Sequence, residues 1–227
     1  MKNYPAIGNL RRRSLCSFKS TTVLFGILIA CFTPDAQMTL NTSFNAGVTD
    51  GNSIGVVTAV QADGKILVGG NFAFANGTEK FGLVRLNSDG SLDNTFNVGG
   101  VGPNSIVYEI KVLGDGKIII GGGFGTYNGT TIQGLARLNS NGTLDTTFNV
   151  GGVGVQGAVQ GISIQADGKY VLTGGMNAYN GTPKFSVIRV NTDGTLDTSF
   201  TSPFAGQVFV EQSGLQTDGK IIIGGQF

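Results

Sequence analysis

The feature that most constrains this fold is an internal repeat of 52 residues. Four phenylalanines keep this spacing and mark the repeat: Phe44, Phe96, Phe148 and Phe200. Three further motifs stay in register with them. Arg-Leu/Val-Asn begins at Arg85, Arg137 and Arg189; Asn-Gly-Thr begins at Asn76, Asn128 and Asn180; Asp-Gly-Lys begins at Asp63, Asp115, Asp167 and, one residue early, Asp218. The sequence therefore predicts one structural unit that is repeated along the chain.

Each repeat has the pattern of short antiparallel strands. In the second repeat, apolar and polar residues alternate along 106–112, as in a half-buried strand. The Asp-Gly of 113–117 and the Asn-Gly pairs at Asn128 and Asn141 are typical of hairpin turns, and we expect Asp-Gly to supply positive φ angles. The strands predicted for this repeat are 106–112, 118–120, 132–139 and 144–148.

We predict an all-β fold, a β-propeller-type array of four-stranded blades of about 52 residues each. The 38 glycines disfavour long helices, and no helical apolar period follows residue 37. The absence of Trp and His excludes the WD40 signature, and hairpin turns count against a parallel β-helix, although another β-repeat array remains an alternative. The units are about 41–92, 93–144, 145–196 and a partial 197–227.

The array is incomplete, with about 3.6 units between residue 41 and residue 227. Known propellers close with four to eight blades. We therefore expect further blades to be encoded downstream, and we leave open whether the chain is truncated or forms oligomers.

Residues 1–37 have the pattern of a secretory signal peptide. Five basic residues precede an apolar run of ten residues, 23–32, which is too short to span a bilayer as a helix. Cleavage is expected after Ala36. An alternative is lipid anchoring through Cys31, since 28–31 resembles a bacterial lipobox, but the bulky Phe32 is atypical of that motif. The repeat region that follows, 38–227, is expected to be secreted or at the cell surface and to contain no transmembrane span.

The composition excludes several classes of function. Because the chain has no His, it has no Ser-His-Asp or Cys-His catalytic group and no His-ligated zinc site. Both cysteines, Cys16 and Cys31, lie in the leader, so the mature chain has no disulfide. Without the leader, ten Lys and Arg stand against thirteen Asp and Glu, and a net charge of −3 argues against binding to nucleic acid.

The combined motifs resemble the delta-sixty repeat of bacterial exported proteins. They are Asp-Gly-Lys, a buried apolar triplet, Gly-Gly, Arg-Leu-Asn, an Asp/Asn-Gly turn and Leu-Asp-x-Thr/Ser-Phe, and the resemblance covers 40–227. It implies a large exported or surface protein with several blades and says little about activity. The chain departs from the pattern at Thr173, in place of a Gly, and at Asn41, in place of an Asp.

The residues that recur in every unit are candidates for structure before function. We expect the Asp-Gly-Lys and Asn-Gly-Thr motifs to form turns, although the second has the form of a glycosylation site. Arg85, Arg137 and Arg189 could form a ring that binds an anion, but we favour pairing of each arginine with a blade carboxylate, or extension over the strand surface.

A calcium loop is the strongest metal-like pattern. Oxygen-bearing residues alternate around a Gly and precede a carboxylate, as a calcium loop requires. The positions are Asn87, Asp89 and Asp93; Asn139, Asn141 and Asp145; and Asn191, Asp193 and Asp197. The bidentate Glu at position twelve is missing, and the same loop serves as a plain hairpin. We therefore predict no cofactor or metal residue, with calcium as the minor alternative.

Catalytic residues are not predicted, although a few asymmetric positions could carry chemistry. Glu79, Glu109 and Glu211 are the only glutamates, and none recurs in register. A pair of carboxylates could hydrolyse a glycoside, but each Glu is also consistent with a solvated strand position. The tyrosines that could stack on a sugar, or pack in the core or a loop, are Tyr108, Tyr127 and Tyr179.

We expect an exported, non-catalytic binding, adhesion or scaffold module at the cell surface, with a glycan or a surface protein as its partner. The first alternative is a polysaccharide hydrolase or lyase with its site at the propeller hub. The second is a spacer that displays a downstream domain. Glycan binding without turnover would favour the module, and release of reducing sugar would favour the enzyme.

Overall fold

The computed structural model describes residues 48–49 and 54–227, with side chains from Val57 onward. The predicted leader, its cleavage site at Ala36 and the lipid anchor at Cys31 lie outside these residues, as do Asn41 and Phe44.

The described residues form nineteen β-strands and no helix, which confirms the all-β prediction. The first blade contains β1 (Val48–Thr49), β2 (Ile54–Val60), β3 (Ile66–Asn71), β4 (Phe74–Ala75), β5 (Thr78–Glu79) and β6 (Leu83–Leu86). The second contains β7 (Val107–Val112), β8 (Ile118–Gly122), β9 (Thr126–Tyr127), β10 (Thr130–Thr131) and β11 (Leu135–Leu138). The third contains β12 (Val155–Gly157), β13 (Gly161–Ile164), β14 (Tyr170–Thr173), β15 (Met176–Tyr179), β16 (Thr182–Pro183) and β17 (Val187–Val190). The last unit contains β18 (Phe209–Leu215) and β19 (Ile221–Gln226).

Each of the first three blades has a main antiparallel sheet of three strands. The sheets have the orders β2-β3-β6, β7-β8-β11 and β13-β14-β17, and β18 pairs with β19. The short strands form small arms beside them, in the orders β1-β4-β5, β9-β10 and β12-β15-β16. In the main sheets and in the last pair, the strands that come first in the sequence are β2, β7, β13 and β18. These four strands contact one another in succession, as expected where the blades of a propeller radiate from an axis.

The predicted fourth strand of each blade is present only as a single bridge, for example Leu138 to Leu144. The reason is local. The Asp145 carboxylate accepts hydrogen bonds from the backbone N–H and the hydroxyl of Thr147, at 3.0 and 2.6 Å, and so bends the chain into a turn. Side-chain bonds of this kind compete with the backbone pairing of a strand.

The Asp-Gly-Lys motifs form the predicted hairpin turns, but with a different geometry. The N–H of Leu113 donates to Lys117 O at 2.8 Å, and only Gly116 has a positive φ, of 82°. This is a type I turn followed by a glycine bulge. Asp115 keeps an ordinary φ, and its carboxylate accepts from the Lys117 N–H at 3.0 Å. In the Asn-Gly arms, by contrast, both central residues have a positive φ, for example 48° at Asn128.

The hydrophobic core lies between neighbouring blades and depends on glycine at their contact. A Cβ on Gly121 of β8 would lie 2.7 Å from Val159 Cγ1 of the third blade. The second blade therefore needs glycine here so that the third can approach. At the equivalent position of the third blade stands the buried Thr173, and its cross-strand neighbour is Gly161.

Candidate functional site

A cluster of one lysine, one arginine and one aspartate recurs in the first three blades. In the second blade, Asp145 Oδ2 accepts from Lys117 Nζ and Arg137 Nε, both at 2.7 Å. The lysine comes from the Asp-Gly-Lys turn, the arginine from β11 and the aspartate from the bend after the bridge. The first and third blades repeat the arrangement at 2.8 Å with Lys65, Arg85 and Asp93, and with Lys169, Arg189 and Asp197.

The aspartate of each cluster has all its acceptor positions engaged. Asp145 Oδ2 serves the two cations, and Oδ1 serves Thr147. Burial alone would raise the pKa of Asp145, but the bonds from Lys117, Thr147 and Arg137 together hold this pKa well below its ordinary value. The pKa of Asp93 is lowered in the same way. These carboxylates are therefore ionised at neutral pH.

The arginine of the cluster also links neighbouring blades. The Arg137 guanidinium carbon lies 4.6 Å from the centre of the Phe148 ring, and Nη1 donates to Thr192 O of the third blade at 2.6 Å. Arg85 makes the same link to Ser140 O of the second blade at 2.7 Å. The prediction that each arginine pairs with a blade carboxylate is confirmed. The charge of each arginine is thus paired within the scaffold.

The candidate calcium loops form hairpin turns. The Asp89 carboxylate accepts from the backbone N–H and the hydroxyl of Ser91, at 2.9 and 2.7 Å, and the Asn87 side-chain amide donates to the same hydroxyl at 2.9 Å. Asp93 faces Lys65 and Arg85 instead. Among the described residues there is no group of three or more His, Cys, Asp or Glu arranged to hold a metal. The absence of a cofactor or metal residue, with calcium as the minor alternative, stays a prediction.

The candidate catalytic residues lie on separate strands. Glu79 is on β5 and Glu211 on β18, and both are exposed. Glu109 on β7 is buried, and its carboxylate lies 3.0 Å from Lys111 Nζ. Each of the three glutamates thus belongs to a different blade.

Two of the three candidate tyrosines lie in the core. Tyr127 and Tyr179 are fully buried and donate hydrogen bonds to Gly142 O and Gly194 O. Burial raises the pKa of both phenols above its usual range. Tyr108 is half-buried. The packing interpretation therefore holds for Tyr127 and Tyr179, which are not available to a sugar ring.

A lysine that binds a loop was not among the predicted site residues. Lys80 Nζ donates to Gly100 O at 2.5 Å and to Asn97 O at 3.2 Å. The loop itself is held by a reciprocal pair of amides between Asn97 and Asn128, at 3.1 and 2.7 Å. The available signal was the repeated segment Asn-Val-Gly-Gly, which begins at Asn97 and again at Asn149.

Two concave regions lie beside these elements. A cleft of about 350 Å³ lies between the first two blades and is lined by Gln61, Asp63, Arg85, Leu113 and Asn141, among others. A cavity of about 180 Å³ lies in the second blade, between the arm β9-β10 and the loop that begins at Asn149. Neither brings together two of the candidate catalytic glutamates.

Comparison with known proteins agrees with this architecture. Residues 61–96, 113–148 and 165–200 match the family described as "Domain of unknown function (DUF5122) beta-propeller". Each matched segment begins two residues before an Asp-Gly-Lys motif and ends at one of the phenylalanines that are spaced 52 residues apart. The chain thus carries three tandem repeats of a β-propeller type.

One solved structure that matches part of the chain is described as "the extracellular domain of the putative one component system BT4673 from B. thetaiotaomicron". The identity is 14% and the TM-score 0.35, too low for any argument about function. The match covers 74% of this chain but only 25% of that chain. No curated protein matches the sequence. None of the described residues forms a helix with the length and hydropathy needed to cross a membrane.

Proposed function

We propose that this β-propeller-type repeat protein is an exported, non-catalytic binding, adhesion or scaffold module at the cell surface. The observation that carries the proposal is the use of the recurring charges. In three blades the repeated aspartate accepts hydrogen bonds from both the repeated lysine and the repeated arginine. The repeated motif thus supports the scaffold, and a ligand would be recognised by residues that differ between blades or project from them.

The loops that begin at Asn97 and Asn149 offer such a surface. Val98 and Val150, 52 residues apart, are 76% and 80% exposed. Their neighbours Val101 and Val153 are also exposed. Apolar side chains at the same place in adjacent blades can contact one extended partner, since exposed apolar residues that cluster often mark an interaction surface.

The predicted leader, 1–37, supports export, and the negative charge of the remaining chain supports a partner other than nucleic acid. We assign the repeat to the delta-sixty family on the motifs of the sequence. The proposed partner is a glycan or a surface protein.

The test is a binding screen with the full chain, purified as the secreting host processes it, against a glycan array and against extracted surface proteins. A retained partner without release of reducing sugar from polysaccharide supports the proposal. Release of reducing sugar would instead support a hydrolase or lyase at the hub. Absence of both binding and turnover would favour a spacer.

A matched pair of variants locates the surface. Replacing Val98 and Val150 together by Ser should weaken partner binding at least tenfold, because both apolar contacts are removed. Val60 is also exposed but lies on β2. The Val60→Ser variant should therefore bind as the natural protein does.

A further inference from the structure

The loops that begin at Asn97 and Asn149 are two copies of one structure. Both have the sequence Asn-Val-Gly-Gly. The φ angles of Asn97 and Asn149 are 50° and 53°, and the second glycine donates to the Asn carbonyl at 3.0 and 2.9 Å. The two loops therefore present the same carbonyl groups, and a group that binds one loop should also bind the other.

In the first blade this loop binds an ammonium group. Lys80 Nζ donates to the carbonyls of Asn97 and Gly100. Partial burial lowers the pKa of Lys80 from its ordinary value, so the ammonium contacts these carbonyls at some cost in hydration. The carbonyls compensate, because hydrogen bonds from a charged donor are stronger than neutral ones.

In the second blade Ile132 stands at the position of Lys80. The backbone is the same, since the N–H of Lys80 donates to Ala73 O at 2.9 Å and that of Ile132 to Gly125 O at 3.1 Å. Ile132 is 7% exposed and belongs to the core. Being a hydrocarbon, its side chain donates to neither Asn149 O nor Gly152 O.

The cavity of about 180 Å³ opens at this place. Its walls include the Asn149 and Gly152 segment and the apolar side chains of Ile132, Leu144 and Phe148. Arg137 and Asp145 also line it, bonded to each other. Because the Asp145 carboxylate neutralises the Arg137 guanidinium, the pair adds no net charge to the cavity wall.

We infer that this cavity accepts a primary ammonium group on an aliphatic stem, supplied by a lysine side chain of a protein partner. The apolar walls suit the methylene groups of lysine and the loop carbonyls suit its ammonium, as Lys80 demonstrates in the first blade. This assignment rests on the proposed binding function and names the ligand class for one site.

The test is an NMR titration of the ¹⁵N-labelled full chain with Nα-acetyl-lysine amide. Nα-acetyl-norleucine amide, whose side chain has an apolar stem and no ammonium, is the control probe. Saturable amide shifts confined to 130–132 and 149–152 with the lysine probe, and none with norleucine, are expected. Equal responses to both probes, or no response up to the solubility limit, would overturn the assignment.

Two variants exchange the kinds of side chain that the first and second blades carry at the position of Lys80 and Ile132. Ile132→Lys supplies the ammonium from within and should abolish the shifts at 149–152. Lys80→Met removes it from the first blade and should add a second set of shifts at 97–100. If Ile132→Lys fails to fold by circular dichroism, Lys80→Met still decides the question, because the absence of new shifts there would contradict the assignment.

Two further outcomes separate this inference from the general proposal. Shifts with glucosamine but not with the lysine probe would identify an amino sugar and overturn the protein source. If a partner found in the binding screen binds Ile132→Lys as tightly as the natural protein, the binding function stands and the lysine site does not. A partner that binds through this site should lose at least tenfold in affinity.

Discussion

The first and second blades share a scaffold and differ at one informative position. Both have the cluster of lysine, arginine and aspartate, the arginine link to the next blade and the same Asn-Val-Gly-Gly loop. They differ in that Lys80 fills the loop carbonyls of one blade and Ile132 takes its place in the other. The repeated residues therefore build the array, and residues with a function are expected where a repeat departs from its neighbour.

The largest expected effect is loss of the shared cluster. Asp145→Ala should lower the free energy of unfolding by about 3 kcal/mol, because it leaves Lys117 and Arg137 without their common partner. This loss is at the low end for removal of one partner of a buried ion pair, since Lys117 is partly exposed. Urea unfolding measures the loss in the free energy of unfolding. Asp115→Ala removes an exposed carboxylate from the adjacent turn and should cost 1 kcal/mol or less; equal costs would contradict the role given to the cluster.

The second-largest effect is expected at the close contact between the second and third blades. Gly121→Val should cost about 2 kcal/mol, because its side chain would overlap Val159 of the third blade. The control is Gly114→Ala, since a Cβ on Gly114 meets nothing within 4 Å. Equilibrium unfolding of both variants compares them, and a harmless Gly121→Val would show that the blades are not packed as described.

The clusters should also make stability depend on acid. The pKa of Asp93 and of Asp145 is lowered in the folded chain from an ordinary value of 3.8. Their stabilisation is therefore complete above about pH 5 and is lost as the pH falls through 3.8, where the unfolded chain binds protons first. Each carboxyl should contribute a slope of up to about 1.4 kcal/mol per pH unit there. Unfolding curves between pH 6 and pH 2.5 should show this slope, and Asp145→Asn should reduce the slope. An unchanged slope in the variant would contradict the contribution of Asp145 to acid sensitivity.

The smallest expected effect is at Lys80, the position at which the first blade differs from the second. Lys80→Met should lower the free energy of unfolding by about 0.5–1 kcal/mol, because two charged hydrogen bonds to a partly exposed loop are lost. Lys184→Met, at the equivalent position of the third blade, is the control. The segment it would face there begins with Thr201 and lacks Asn-Val-Gly-Gly. Thermal melts compare the two, and an equal loss would remove the special role of the Asn97 loop.

The sequence predicted those features that depend on local pattern. The repeat, the strand pattern and the Asp-Gly-Lys hairpins follow from spacing and turn chemistry, and the pairing of Arg137 with a carboxylate followed from its recurrence. The fourth strand was overestimated, because the bond of Asp145 to Thr147 outweighs strand propensity there. The contacts of Lys80 could not be predicted, since they join residues 17 and 20 positions apart through a loop whose path depends on Asn97 and Gly99 at positive φ.

The most direct test of the equivalence between the two loops is the NMR titration of Lys80→Met with Nα-acetyl-lysine amide. If the blades are copies that differ in function only at this position, the amides of both 97–100 and 149–152 should shift and saturate together. Shifts at neither loop, or at one alone, would contradict the account.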